Sequence, residues 1–163
     1  CVSLAAKEAD ETPRGVIVQD TAWDGYEEIP AWIMQGYGTM AMEAGEQLKA
    51  QGCERPTHIF VQAGVGSLAG AVVGYFSNLY ADNLPTFVVV EAEAAACLYK
   101  GAAAGESGAA PFGALAAMMT MDEYKDLRND IGLDENSKVL LFSTEGDTDP
   151  DRYKNIVWKG LDK

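Results

Sequence analysis

The chain contains few of the residues from which disulfide frameworks and metal sites are built. Its 163 residues include three cysteines and one histidine. Three widely spaced cysteines form no disulfide framework, and without a CxxC pair we expect no metal site. The cytoplasm, which is reducing, is therefore the expected compartment. His58 lies in an apolar, strand-like run, and we expect it to be a structural residue at the start of a strand.

Basic residues and long apolar runs are also scarce. The chain has 12 Lys and Arg against 25 Asp and Glu, a net charge of −13, so nucleic acid is not an expected partner. The apolar runs are far shorter than the ~20 residues of a membrane helix. No basic segment followed by an apolar one, the pattern of a signal peptide, opens the given sequence. We therefore expect neither a signal peptide nor membrane association. Apolar residues still make up 48% of the chain, which predicts a globular domain with a core.

Continuously apolar strands alternate with helices along the sequence. The predicted strands are Val16–Val18, Thr57–Val61, Pro85–Glu91 and Lys138–Phe142. The predicted helices are Ser3–Asp10, Pro30–Ala50, Leu68–Phe76, Ala94–Lys100, Ala109–Met119, Met121–Ile131 and a short one from Asp149 to Tyr153. This alternation indicates an α/β domain with a parallel sheet and flanking helices, spanning residues 1–163.

A glycine-rich turn, Gln62–Gly70, follows the second predicted strand and opens a helix. Glycines let the backbone bend tightly and approach a ligand. The first N–H groups of a helix have no intrahelical partner and attract anions. The turn therefore predicts a phosphate site, although glycines that only let the helix pack on the sheet explain the pattern equally well.

The identity of the anion stays open on these local grounds. The turn lacks the GxxxxGK[ST] pattern, which argues against a P-loop NTPase. It approaches the GxGxxG dinucleotide fingerprint without matching it. Glu91, at the end of the next strand, resembles a ribose-binding carboxylate. NAD binding is therefore a rival hypothesis.

Polar residues follow several of the predicted strands. They are Asp20, the turn residues Gly64–Ser67, Glu91, and Ser143 with Thr144. In a parallel α/β sheet, ligands bind beyond the carboxyl ends of the strands. We therefore expect these four groups to converge on one edge of the sheet.

Each acidic candidate also has a structural interpretation. Asp20 is a candidate general base, but an Asp that caps a turn through Thr21 is commoner. Glu106 precedes a predicted helix, where a carboxylate is favoured by the dipole alone. The acidic segment Glu145–Asp151 does not match an EF-hand loop, so a solvated turn is favoured over a cation site.

Seven segments occur in an order typical of one enzyme family. They are Val18–Trp23, Gly25–Tyr26, Ile29–Tyr37, Gln62–Gly66, Gly105–Ala109, Ser143–Asp149 and Ile156–Trp158. Together they resemble the diaminopropionate ammonia-lyases, pyridoxal-phosphate enzymes of fold-type II with a tryptophan synthase beta-like fold. The resemblance implies pyridoxal 5'-phosphate as cofactor, a small amino acid as substrate and a homodimer.

The resemblance also assigns roles to individual residues. The implied phosphate-binding residues, through backbone N–H groups, are Gly64, Val65, Gly66, Ser67 and Leu68. Ser143 or Thr144 would face the pyridine nitrogen, and Glu106 would lie near the ring. Asp20 would be one of two aspartates that remove the substrate α-proton, each serving one enantiomer.

The implied reaction is elimination of ammonia from 2,3-diaminopropionate, which gives pyruvate and ammonia. A hydroxyl beside the pyridine nitrogen, instead of a carboxylate, leaves that nitrogen unprotonated and favours elimination. A threonine or serine dehydratase is the closest alternative, and the stretch around Trp32 speaks against it. A third alternative is a non-catalytic binding domain that keeps the phosphate turn and lacks the cofactor-binding lysine.

The resemblance further implies that this chain is an incomplete domain. The lysine segment and the loop with the second aspartate are expected before Cys1. A further block is expected between Lys100 and Gly105. No lysine lies in the expected motif, and we expect Lys100 and Lys138 to be surface residues.

Overall fold

The computed structural model describes residues 2–91 and 105–144. The helices are α1 (Val2–Glu11), α2 (Glu28–Ala50), α3 (Ser67–Leu79), α4 (Gly105–Thr120) and α5 (Lys125–Asp130). The strands are β1 (His58–Gln62), β2 (Thr86–Val90) and β3 (Val139–Leu141). The helices predicted at Ala94–Lys100 and from Asp149 lie outside the described residues.

The three strands form one parallel sheet in the order β2-β1-β3. Phe60 of β1 pairs with Val88 on one side and with Leu141 on the other. Helix α3 connects β1 to its neighbour β2, as expected for a parallel crossover. The predicted parallel sheet with flanking helices is confirmed.

The core lies on both faces of β1, whose five residues are all buried. Ile59 and Val61 pack with Val72 and Phe76 of α3 on one face. Phe60 points to the opposite face and packs with Met118 of α4. The middle of a strand that is covered on both faces must be apolar, which explains the continuous run Ile59–Val61 in the sequence.

The predicted strand Val16–Val18 is wrong. The side chains of Val16 and Val18 are 67% and 71% exposed, and the segment pairs with no strand among the described residues. The Tyr26 hydroxyl instead donates to the Ile17 carbonyl (2.8 Å) and accepts the Gln19 N–H (3.1 Å). Three β-branched residues favour extended backbone, but a strand also needs a ladder partner.

Two helix predictions differ from the structure in detail. Helix α4 begins at Gly105 and not at Ala109, so Pro111 lies inside it. The missing N–H of Pro111 removes one hydrogen bond of the helix interior. The predicted helix Met121–Ile131 is a 3-10 turn, Asp122–Tyr124, followed by α5.

His58 is a buried structural residue at the first position of β1, as the sequence predicted. Its Nε2 lies 2.8 Å from the Ile131 carbonyl, which can only accept, so Nε2 carries the proton. Its Nδ1 lies 2.8 Å from the Thr57 hydroxyl. The ring thus ties the start of β1 to the segment that follows α5.

Replacing His58→Phe should lower the free energy of unfolding by about 1–3 kcal/mol, because the Ile131 carbonyl would lose its donor. Equilibrium denaturation followed by circular dichroism measures this loss. His58→Gln, whose amide can donate in the same direction, should recover part of it. A His58→Phe protein as stable as the wild type would contradict this assignment.

Candidate functional site

The glycine-rich turn lies at the carboxyl end of the central strand. The three strands are parallel, so their carboxyl ends lie at the same edge of the sheet. Glu91, which follows β2, and Ser143 and Thr144, which follow β3, therefore lie at the edge where the turn begins. The predicted convergence of these three groups is confirmed. Glu91 and Ser143 are exposed there.

The turn is open to solvent, with Gly64, Val65 and Gly66 exposed. Gly66, which precedes α3, has φ 99°, a left-handed conformation that favours glycine. The Gly70 N–H donates to the Gly66 carbonyl at 2.7 Å, so the N–H groups before it belong to the unpaired first turn. A Cβ at Gly64 or Gly66 would meet no atom within 4 Å. This geometry suits an anion held by backbone N–H groups and the helix dipole.

Asp20 reaches this edge through a side-chain bond and not through a strand. The Ser67 side chain is buried, and its hydroxyl donates to the Asp20 backbone carbonyl at 3.0 Å. The segment that carries the Asp20 carboxylate is therefore fastened to the first turn of α3. The positioning role of the Ser67 hydroxyl was missed at the sequence level. The available signal was a serine directly after Gly66, the glycine that precedes α3.

Gln62 joins the end of β1 to the segment after β3. Its Nε2 donates to the Thr144 hydroxyl oxygen at 2.9 Å, and its side chain is only 7% exposed. Its Oε1 is buried and has no hydrogen-bond partner among the described residues. Sequence reasoning missed Gln62 as well, although a polar residue that completes a buried strand was a usable signal.

The positions of the other sequence candidates follow from the elements that carry them. Glu106 falls in the first turn of α4 by the bounds of that helix. Residues 145–151 lie outside the described residues. Lys138 is exposed, as predicted, and Cys53 is a free thiol.

Carboxylates in the described segments form no cation site. Residues 2–91 and 105–144 hold no group of three or more His, Cys, Asp or Glu side chains that could bind a metal ion. Asp134 lies before β3, at the opposite edge of the sheet. The Asn136 N–H and the Ser137 hydroxyl hold the pKa of its carboxyl below its usual value.

Pyridoxal phosphate, the cofactor that the sequence resemblance implies, fits the residues at this edge. The open turn offers N–H donors without a competing side chain, as a phosphate requires. The Thr144 hydroxyl lies just beyond the end of the adjacent strand β3 and is hydrogen-bonded to Gln62, two positions before Gly64.

The described helices include none long and apolar enough to cross a membrane.

Comparison with known proteins identifies the same class of enzyme. The family described as pyridoxal-phosphate dependent enzyme matches residues 1–140. Diaminopropionate ammonia-lyase of Salmonella typhimurium is 38% identical over 226 residues, which cover 98% of this chain and 56% of that protein. Its counterpart in Escherichia coli K12 is 32% identical over 208 residues and is covered to 52% of its length.

Solved structures of the Escherichia coli enzyme share the fold. The apo form superposes with a TM-score of 0.83 at 37% identity and covers 98% of this chain. The form bound to an aminoacrylate-PLP azomethine reaction intermediate has a TM-score of 0.83 at 32% identity. The parallel sheet with flanking helices therefore matches that of fold-type II enzymes.

The chain spans about half the length of these relatives. The alignment with the Salmonella protein runs over 226 residues, more than the 163 of this chain, so that protein carries residues without a counterpart here. Since the family match extends over most of the sequence, the chain belongs to the pyridoxal-phosphate-dependent enzymes.

Proposed function

We propose that the protein carrying this chain is a pyridoxal-phosphate-dependent ammonia-lyase that converts 2,3-diaminopropionate to pyruvate and ammonia. The observation that carries the proposal is the bond between the Ser67 hydroxyl and the Asp20 carbonyl. It holds a segment with a carboxylate against an open anion-binding turn. The names of the relatives support the same activity.

The phosphate is held by the backbone N–H groups of Gly64 to Leu68. The side chain of Ser67 is committed to Asp20, so its contribution to the phosphate is its N–H. Hydrogen bonds to a charged acceptor contribute about 1.5–3 kcal/mol each. The exposure of Gly64 and Gly66 leaves room for the anion to approach these donors.

The ring is positioned at its nitrogen by a neutral hydroxyl, from Thr144 or Ser143. Residues 142–144, the described segment that follows β3, are Phe, Ser and Thr and include no carboxylate. Glu106, at the start of α4, is proposed to lie near the ring. Bound pyridoxal phosphate supplies an electron sink for the pair left behind when the α-proton is removed.

Asp20 takes the α-proton of one substrate enantiomer. The bond to Ser67 fixes the backbone of Asp20, which suits a general base, since proton transfer requires a defined distance to the acceptor. Its segment is fastened twice, by Ser67 at Asp20 and by Tyr26 at Ile17 and Gln19. The lysine and the second aspartate of the family pattern are proposed to belong to other parts of the whole protein.

We further propose that the protein is a cytoplasmic homodimer that binds neither nucleic acid nor membranes. The free thiol of Cys53 agrees with a reducing compartment. Apolar side chains exposed on α2, among them Trp32 at 57%, support an interface on the described surface.

The test of this function uses the native protein at its full length. It should show the visible absorbance of bound pyridoxal phosphate and lose it on borohydride treatment. It should release pyruvate from 2,3-diaminopropionate faster than from serine. Faster turnover of serine would favour the dehydratase alternative, and a protein that stays colourless with added cofactor would favour the non-catalytic one.

Asp20→Asn should reduce turnover of one enantiomer of 2,3-diaminopropionate by about 10²-fold or more, because the general base is lost. Turnover of the other enantiomer should be nearly unchanged. Pyruvate release from the separate D and L substrates measures both rates. Asp24→Asn, an exposed carboxylate of the same loop, is the matched control and should leave both rates unchanged. Equal losses for both enantiomers would contradict the assignment.

Gly66→Ala should weaken cofactor binding and destabilise the fold by about 1–3 kcal/mol, because a residue with Cβ is strained at φ 99°. Titration with pyridoxal phosphate and thermal denaturation measure the two effects. Gly74→Ala, inside α3, is the control, because a Cβ there would meet no atom within 4 Å. It should stabilise the helix slightly and leave cofactor affinity unchanged. Unchanged affinity in Gly66→Ala would argue against phosphate binding at the turn.

A further inference from the structure

We infer that Gln62 is a positioning residue that sets the direction of the Thr144 hydroxyl, so that its proton is donated to the ring nitrogen of the cofactor. The inference rests on the proposed function and extends it to a residue outside the phosphate turn. It also selects Thr144 over Ser143 as the partner of the ring.

The direction follows from the hydrogen-bonding capacity of the two groups. The Nε2 of Gln62 carries two protons and has no lone pair to offer. In the assigned orientation of the amide, Nε2 lies 2.9 Å from the Thr144 oxygen and is therefore the donor. The single proton of that hydroxyl is then left to be donated to another acceptor. An unprotonated pyridine nitrogen is an acceptor of the required kind.

The surroundings hold this direction in place. Gln62 is buried at the end of a strand whose other four residues are buried as well, whereas Thr144 is exposed at the ligand edge. The amide is thus fixed from the core side, and the hydroxyl faces the side that a ligand can reach. Ser143 has the same hydroxyl group but not the bond to Gln62.

Gln62 also carries the signature of a residue kept for a purpose other than stability. Its Oε1 is buried without a hydrogen-bond partner in the described part of the chain, which is unfavourable for the fold. An apolar side chain of similar length avoids that cost. A positioning Gln62 should therefore be replaceable without loss of stability but not without loss of cofactor binding, whereas replacement of a Gln62 that serves the fold should cost stability.

The test compares the full-length wild type with Gln62→Met, Thr144→Val and the double variant, each loaded with pyridoxal phosphate labelled with ¹⁵N in the ring. The ¹⁵N chemical shift reports the hydrogen bond to the ring nitrogen, and titration gives the cofactor dissociation constant. Thr144→Val should move the shift towards that of a nitrogen without a donor. Gln62→Met should move it in the same direction and weaken binding by about fivefold, the value of one neutral hydrogen bond. When Thr144→Val is already present, adding Gln62→Met should change neither quantity.

Several results would overturn the inference. They are an unchanged shift in Gln62→Met, an equal effect of Gln62→Met with and without Thr144, and a shift that responds to Ser143→Ala but not to Thr144→Val. Gln51→Met, at an exposed glutamine that follows α2, is the matched control for the substitution itself. Thermal denaturation without cofactor should show Gln62→Met to be as stable as the wild type, and a large loss there would assign Gln62 to the fold.

Failure of the proposed function gives a different result. A wild-type protein that binds no pyridoxal phosphate would overturn both the function and this inference. A wild-type protein that binds it and shows no coupling between Gln62 and Thr144 would overturn the inference alone.

Discussion

Burial of β1 on both faces is the constraint on which the rest of the described structure depends. The strand is central in the sheet, and helices cover both of its faces. In the described part of the chain it therefore approaches solvent at its two ends. At the amino end, His58 closes the strand by hydrogen bonds to Thr57 and Ile131. At the carboxyl end, the chain turns through Gly64 to Gly66 into α3. The open N–H groups of the turn are therefore placed by the core and not by the loop itself.

Features that depend only on residues close together in the sequence were predictable. The apolar run at β1, the proline near the start of α2 and the glycine turn are local patterns, and each produced the predicted element within a few residues. The segment Val16–Val18 has an equally strong local pattern and forms no strand. A ladder partner is a property of the whole sheet, so three β-branched residues alone could not decide the outcome.

The two hydrogen bonds that organise the site could not be predicted in this way. One joins residues 47 positions apart and the other joins residues 82 positions apart. Ser67 and Gln62 lie within the segment Gln62–Gly70, for which the sequence prediction considered the glycines and the backbone N–H groups but not these two side chains. In the proposed function the turn contacts the ligand through its backbone, while the side chains of Ser67 and Gln62 hold the segments of Asp20 and Thr144.

The proposed separation of ligand binding by the backbone from positioning by side chains explains why the turn needs little side-chain chemistry. If the Ser67 hydroxyl bound the phosphate, Asp20 would lose its tie to α3, because a hydroxyl has one proton to donate. In the proposed function backbone N–H groups bind the phosphate, so the Ser67 proton stays with Asp20. In the same way, the Gln62 amide donates to Thr144 and leaves the threonine proton available on the exposed side. At both positions a buried side chain, on α3 or on β1, holds a group of a neighbouring segment. In the proposed function, ligand binding and the placement of the residues that act on the ligand therefore depend on the same end of β1.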